Sequence, residues 1–292
     1  MMERRALEQA FRAFLDAREQ LPFAPDFPFR YDLVDEVKSG AWRFMRGEMI
    51  ADHLQETTNL MNEWWSRLRD WSAWLAVHDA IADAHEAWRL RLDFVEPVVF
   101  WCMLRPSAMR DLFGFIATHA LHQANLVVDS NYRDQLDEDA EKWPLKRSKR
   151  EQQLCRIGER WSGYILFAER LTEADCTSYR DLTFDYRNLA SHGMAPRFEF
   201  GHTDFVLRAV VPKSELVWQA DGSFSSEATS GKRTVSYAFG GTPPLKLREM
   251  HAANQSEFTH ARAAFEAYRD LLRELLAAIR SAAAEGPYSV RQ

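Results

Sequence analysis

The sequence predicts a mainly α-helical protein: an antiparallel helical bundle with a small antiparallel β meander inserted before its last helix. Three observations predict this. Glycine and proline number only 12 and 11 in 292 residues, which favours long helices over a turn-rich β fold. Apolar residues recur three and four apart over long stretches, the period of helices with one buried face. Six of the twelve glycines fall in residues 193–241, where apolar and polar residues alternate with the period of strands instead. With 46% apolar residues, the chain can bury a substantial core.

The elements follow in order. Residues 3–20 form a first helix with Leu7, Phe11, Phe14 and Leu15 on one stripe. The prolines of the segment Pro22–Phe29 hold it extended along a surface. From Glu48 to Glu96 there is no Gly or Pro. There Leu54, Thr57, Met61, Trp64, Leu68, Trp71, Leu75, His78, Ala82 and His85 mark a bundle seam. This is one long helix, or two with an unmarked turn. Pro106 opens the next helix, with Leu112, Ile116, His119 and Leu126 on one face. Residues 129–150 break the pattern with an acidic run and then a basic one, an exposed connection. Leu154, Ile157, Trp161, Ile165, Ala168 and Leu171 set a further helix. A shorter one covers about 177–192 and stops at Gly193. Alternation at Phe205–Val211 and Val235–Phe239, with Asp221-Gly222 as a hairpin turn, predicts three or four strands. A last helix near 245–284 carries Phe258, Ala261, Phe265, Tyr268, Leu272, Leu275 and Ile279 as its seam. Residues 1–95 are thus N-terminal helices that pack on a bundle formed by residues 96–292, with the β insertion at about 196–241.

Composition excludes several function classes. A net charge of −6 argues against a surface that coats nucleic acid. It leaves room for a local cleft, because 30 of the 37 cationic residues are Arg, which grips phosphate bidentately. Cys102, Cys155 and Cys176 are odd in number and widely spaced, so neither a disulfide framework nor a zinc cluster is expected. The charged N-terminal stretch does not read as a signal peptide. The apolar stretch Leu112–Val128 carries His119, His122, Gln123 and Asn125, so it reads as a buried helix rather than a membrane span. A soluble, cytoplasmic protein with no membrane contact is expected.

One segment groups reactive side chains. It reads Asp185-Tyr186-Arg187-Asn188-Leu189-Ala190-Ser191-His192-Gly193. Leu182, Tyr186, Leu189 and Ala190 are its apolar side, while Arg187, Asn188, Ser191 and His192 lie on the polar side. Asn188 and His192 are four apart and share a face. A residue at a helix C-terminus is favoured in its charged form, which suits His192 to proton donation or phosphate contact.

Arg187-Asn188-x-x-x-His192 resembles the R-x4–6-H signature of the HEPN superfamily, including the polar residue directly after the Arg. The R-x4–6-H pattern recurs at Arg46/His53 and Arg197/His202, but neither Arg is followed by Asn. The resemblance covers the helices between about 95 and 285; the first hundred residues and the β insertion lie outside it. It implies a helical bundle, a homodimer that brings two motifs into one cleft, and metal-independent endoribonuclease activity without a cofactor. Members often act in toxin–antitoxin, abortive-infection or other antiviral defence systems. RNA and an antitoxin or defence partner are thus the implied partners. The chemistry implied is attack by the neighbouring 2′-hydroxyl, giving a 2′,3′-cyclic phosphate and a 5′-hydroxyl. His192 would be general acid or base, Arg187 would hold the scissile phosphate, and Asn188 would orient either.

Two alternatives stay open. One is a catalytically inactive HEPN-like protein that binds nucleic acid or protein as a scaffold. The other is a metal-binding helical-bundle hydrolase, suggested by His119-x-x-His122 and by His78 and His85 on apolar seams. Glu257-x-x-His260 occurs once, whereas a di-iron bundle needs two such pairs, so no metal site is assigned. Lys146, Arg147, Lys149 and Arg150 are candidates to contact an RNA backbone, or else a solvated segment that balances the acidic run. Trp64, Trp65, Trp71 and Trp74 read as core or dimer interface rather than as a ligand site.

Overall fold

The computed structural model describes residues 4–22, 27–43, 45–133 and 147–285. In chain order these form α1 (Arg4–Glu19), α2 (Val34–Lys38), α3 (Arg46–Ala80), α4 (Ala84–Leu90), a π-helical turn (Arg91–Val95), α5 (Glu96–Val128), α6 (Arg147–Gly158), α7 (Ser162–Glu173), α8 (Thr177–Leu182), α9 (Tyr186–Ser191), β1 (Thr203–Trp218), β2 (Phe224–Thr242) and α10 (Leu247–Glu285). The chain divides into two compact units. One holds the residues up to Thr183 together with those from Leu247 onward, and the other is Phe184–Lys246. No helix among the described residues is long and apolar enough to cross a membrane.

The helical unit is built on α10, which packs against α5, α7 and α3. Its expected seam is buried throughout, from Phe258 and Ala261 to Leu275 and Ile279. The α3 seam is buried from Leu54 to Leu75, with Trp64 and Trp71 fully enclosed. It fails beyond Leu75: Ala82 and His85 are exposed, and the helix gives way at Ile81 before α4 starts behind Asp83, whose carboxylate accepts the Glu86 amide. The seam is thus two helices. The bundle is also not wholly antiparallel. Asn254 meets Cys102 and Phe265 meets Phe113, so α5 and α10 run the same way. Their long connection imposes no hairpin reversal.

Two buried asparagines match several of the polar groups inside the unit. Asn254, fully buried on α10, accepts the Trp64 indole N–H at 2.8 Å and donates to the Cys102 carbonyl and to Tyr179 Oη, both at 3.1 Å. The Cys102 carbonyl is the one that the amide of residue 106 would satisfy in a regular helix. Residue 106 is proline and has no N–H. Pro106 therefore lies inside α5 instead of opening it; Asn254 supplies the missing donor. A second buried pair repeats the device. Asn125 accepts the Trp161 indole at 2.8 Å and donates to the Ile157 carbonyl at 2.9 Å. This pins the break between α6 and α7, where one continuous helix was expected. The core stripe of α7 is consequently Tyr164, Phe167 and Leu171, and Ile165 is exposed. The Glu274 carboxylate caps α7 by accepting the Ser162 and Gly163 amides at 3.0 and 2.7 Å. A Cβ on Gly163 would stand 2.7 Å from that carboxylate, so the close approach needs glycine.

The N-terminal region departs from expectation twice. Phe14 of α1 is buried and stacks on Trp74 at 4.3 Å, but Leu7, Phe11 and Leu15 are exposed. The stripe is wider than the single helix it rests on. Of the segment expected along a surface, residues 23–26 lie outside the described residues, while Phe27 and Phe29 are buried and pack on Trp65, Phe258 and Phe265. Asn62 serves as a backbone mimic, accepting the Phe29 amide at 2.7 Å and donating to its carbonyl at 3.1 Å.

The second unit holds α9 and one antiparallel hairpin. Two long strands replace the three or four expected, because no reversal occurs except at Asp221-Gly222. There Asp221 accepts the Ser223 amide and hydroxyl at 3.0 and 2.7 Å, which holds its carboxyl below the usual range. A register shift between Pro212 and Ser214 bends the ribbon.

Replacing Asn254 with Leu leaves the Trp64 indole N–H without its acceptor and the Cys102 carbonyl and Tyr179 Oη without their donor, and is expected to cost on the order of 3 kcal/mol in urea unfolding. Tyr268 Oη is fully buried with no hydrogen-bond partner among the described residues. Tyr268→Phe is expected to stabilise by about 1 kcal/mol in the same assay.

Candidate functional site

The polar segment singled out in the sequence folds as α9, only six residues long. The helix expected over 177–192 is interrupted because Phe184 and Asp185 adopt left-handed φ values of 54° and 51°. Tyr186 is buried, with its ring 5.7 Å from that of Phe198, and this fixes which face of α9 turns outward. The C-terminal stop holds as read. Gly193 has φ +72°, its amide donates to the Ala190 carbonyl at 3.0 Å, and the Met194 amide donates to that of Leu189 at 2.9 Å. This is a Schellman cap with glycine at the left-handed position. Because backbone amides satisfy these carbonyls, the His192 imidazole is not used as a cap.

Arg187, Asn188, Ser191 and His192 are all exposed. The Ser191 hydroxyl donates to the Asn188 carbonyl at 2.7 Å. A planar guanidinium and an amide on α9 and an imidazole at its C-cap are thus all exposed within six residues. A guanidinium can bind a phosphate through two parallel N–H donors, and an imidazole can give or take a proton near neutral pH.

The basic run is split. Lys146 lies outside the described residues, as does the acidic run 134–141. Lys149 and Arg150 are exposed. Arg147 is engaged by carboxylates, with Nη1 3.5 Å from Asp175 and Nε 3.4 Å from Glu151 and 3.9 Å from Asp111. These residues belong to the helical unit, and Arg187, Asn188 and His192 to the other.

The Arg147 contacts lead to a group that sequence reading missed. Asp175, at the left-handed turn between α7 and α8 (φ 49°), has a side chain only 3% exposed. Burial raises its carboxyl pKa against the pull of Arg180, Arg147 and Arg110. Its amide donates to Glu257 Oε2 at 2.7 Å, and burial raises the Glu257 carboxyl as well. A lone Asp at a helix junction has no periodic signal, and only its positive φ marks the position.

Of the histidines expected on apolar seams, His85 is exposed, His78 lies against Asp79, and His119 meets His53, which that expectation did not include. The rings of His53 and His119 stand 5.4 Å apart, and Phe115 lies 4.1 Å from His119. The Nδ1 atoms of both histidines are buried without a hydrogen-bond partner among the described residues. Burial, with His53 and His122 adding positive charge nearby, pulls the His119 pKa down to about 4. Among the described residues no group of three His, Cys, Asp or Glu side chains could hold a metal ion.

Comparison with protein-family models, curated proteins and solved structures returns no match to this chain.

Burial lowers the pKa of His53, His119 and His251, so the folded state holds them neutral while the unfolded chain protonates them near pH 6.5. Their stabilising effect is complete above that pH and is lost as the pH falls toward 4. Asp175 and Glu257, with raised values, oppose this trend at the acid end. His119→Gln should therefore show a smaller fall in urea midpoint between pH 7 and pH 5 than the parent chain. An unchanged fall would refute the burial effect at His119.

Proposed function

We propose that the chain is a HEPN-like, metal-independent endoribonuclease acting through Arg187, Asn188 and His192. The observation that carries this reading is the exposure of all three side chains on one glycine-capped helix, α9. Arg187 would grip the scissile phosphate and offset the charge that builds on it. His192 would take the proton from the 2′-hydroxyl or return one to the leaving 5′-oxygen. Asn188, one turn before His192, would orient the imidazole or the phosphate. A single set offers one imidazole, whereas the reaction needs both a base and an acid; a two-fold dimer supplies the second. A toxin or phage-defence role is the setting that the HEPN resemblance implies.

The test is incubation with total RNA and with transfer RNA in EDTA. The parent chain should cleave and leave 2′,3′-cyclic phosphate ends. Arg187→Ala and His192→Ala should each slow cleavage by about 100-fold or more. Cleavage that survives both changes would rule out this site.

A second reading, a binding or scaffold protein, is favoured by the hairpin. Val206 pairs with Phe239 and Arg208 with Tyr237 on one face of the ribbon. Phe239 is 95% exposed, Tyr237 66% and Val206 57%. A two-stranded ribbon with apolar side chains in solvent is marginal alone and exposes both edges. A second copy of this chain is the occupant that both readings share. Tyr237→Lys with Phe239→Lys should halve the mass measured by light scattering; a mass equal to the parent's would exclude the ribbon as the dimer contact.

A further inference from the structure

A cavity of about 290 Å³ lies in the helical unit between α5, α6 and the end of α7. It is independent of α9. α6 runs alongside α5 in the same direction, with Arg147 beside Asp111 at one end and the Ile157 carbonyl bound to Asn125 at the other. The cavity is therefore polarised. Arg110, Arg147, Arg150, Asp111 and Glu151 line its charged end. Gly114, Phe115, His119, Leu154 and Leu171 line the remainder, and His119 is uncharged at neutral pH because of its burial.

The charged end is unbalanced. Among the described lining residues, three guanidiniums, those of Arg110, Arg147 and Arg150, face two carboxylates, Asp111 and Glu151. Asp175 fixes the arrangement from behind. Its backbone carbonyl accepts from Arg110 at 3.3 Å and from Arg180 at 3.1 Å, while its carboxylate faces Arg147. An incoming anion would offset the surplus positive charge of the lining guanidiniums. The rest of the cavity has the walls of a site for a ring. Phe115 and the neutral imidazole of His119 form one side, Leu154 and Leu171 the other, and Gly114 leaves open space above its Cα, since a Cβ there would meet nothing within 4 Å.

We propose that this cavity binds a small ligand with one or two rings and a single negative head, a carboxylate or sulfonate. The volume sits at the lower end of the range for small-molecule sites, which limits the body to about two rings. The head sits against Arg147 and Arg150, and the rings lie along Gly114 between Phe115 and Leu154.

The experiment uses two dyes that differ only in the head group. They are 1-anilinonaphthalene-8-sulfonate and its neutral counterpart N-phenyl-1-naphthylamine, titrated by fluorescence against the full chain at pH 7. The sulfonate should bind at one site, at least tenfold tighter than the neutral dye. Gly114→Leu fills the cavity and should abolish binding of both dyes, while Gly114→Ala, which has room, should keep its cooperative unfolding. Arg150→Glu should weaken the sulfonate at least tenfold and leave the neutral dye unchanged. Equal affinity for the two dyes, or sulfonate binding unaltered by Gly114→Leu in a chain that unfolds cooperatively, would overturn the proposal. If Gly114→Leu does not fold, Arg150→Glu decides: no change in sulfonate affinity rejects the site.

Discussion

The helical unit depends on the amide of Asn254. Its carbonyl oxygen holds α3 through Trp64, and its NH₂ group holds both α5 through the Cys102 carbonyl and α8 through Tyr179. The bond to Cys102 is the critical one. A proline in a helix interior removes one amide and pushes against the carbonyl four residues earlier. In a dry core that carbonyl would be left without a partner. Here the defect in one helix becomes the anchor point for another, so α5 can run through Pro106 for 33 residues and form the long wall against which α10 packs. A side chain that merely filled the space would leave three polar groups stranded.

The same logic explains how much of the fold was legible in the sequence. The seams of α3 and α10 were readable because burial on one face leaves a period of three and four, and their central residues are buried as that period requires. The continuation of α5 through Pro106 was not legible. A local rule says that proline starts or ends a helix, and the donor that overrides it lies 152 residues away in sequence. The break between α6 and α7 was hidden for a related reason: Trp161 fits the helical period, yet its indole is claimed by Asn125. Phe27 and Phe29 were assigned to a surface from their prolines, but the aromatic rings around them decide their burial. The hairpin ribbon shows the reverse failure. Alternation was read correctly as strand, while the usual corollary of one buried face does not hold for a ribbon whose large apolar residues stay exposed.

For the candidate site, the sequence supplied residue types and spacing, and the three-dimensional arrangement supplied selection. Arg187, Asn188 and His192 were singled out from spacing, and all three are exposed on α9 or at its C-cap. The basic run looked uniform in sequence, yet Arg147 faces three carboxylates while Lys149 and Arg150 are exposed. Ion pairing of this kind depends on contacts between helices and leaves no trace in a charge pattern. Asp175 was invisible for the same reason, although it organises three arginines.

The central helix is also made after each of the helices it packs against. Trp64 finds its acceptor 190 residues further along the chain, so the seams of α3 and α5 emerge from the ribosome long before α10 exists to cover them. Phe184–Lys246, the other compact unit, is complete earlier. Synthesis therefore delivers a finished hairpin unit attached to a helical unit still without its core element. During that interval the chain exposes its most apolar surfaces, and closing over such a sequence separation is slow compared with local helix formation. The helical unit consequently completes its core only once α10 has been translated. This ties the helical fold to delivery of α10 in one piece.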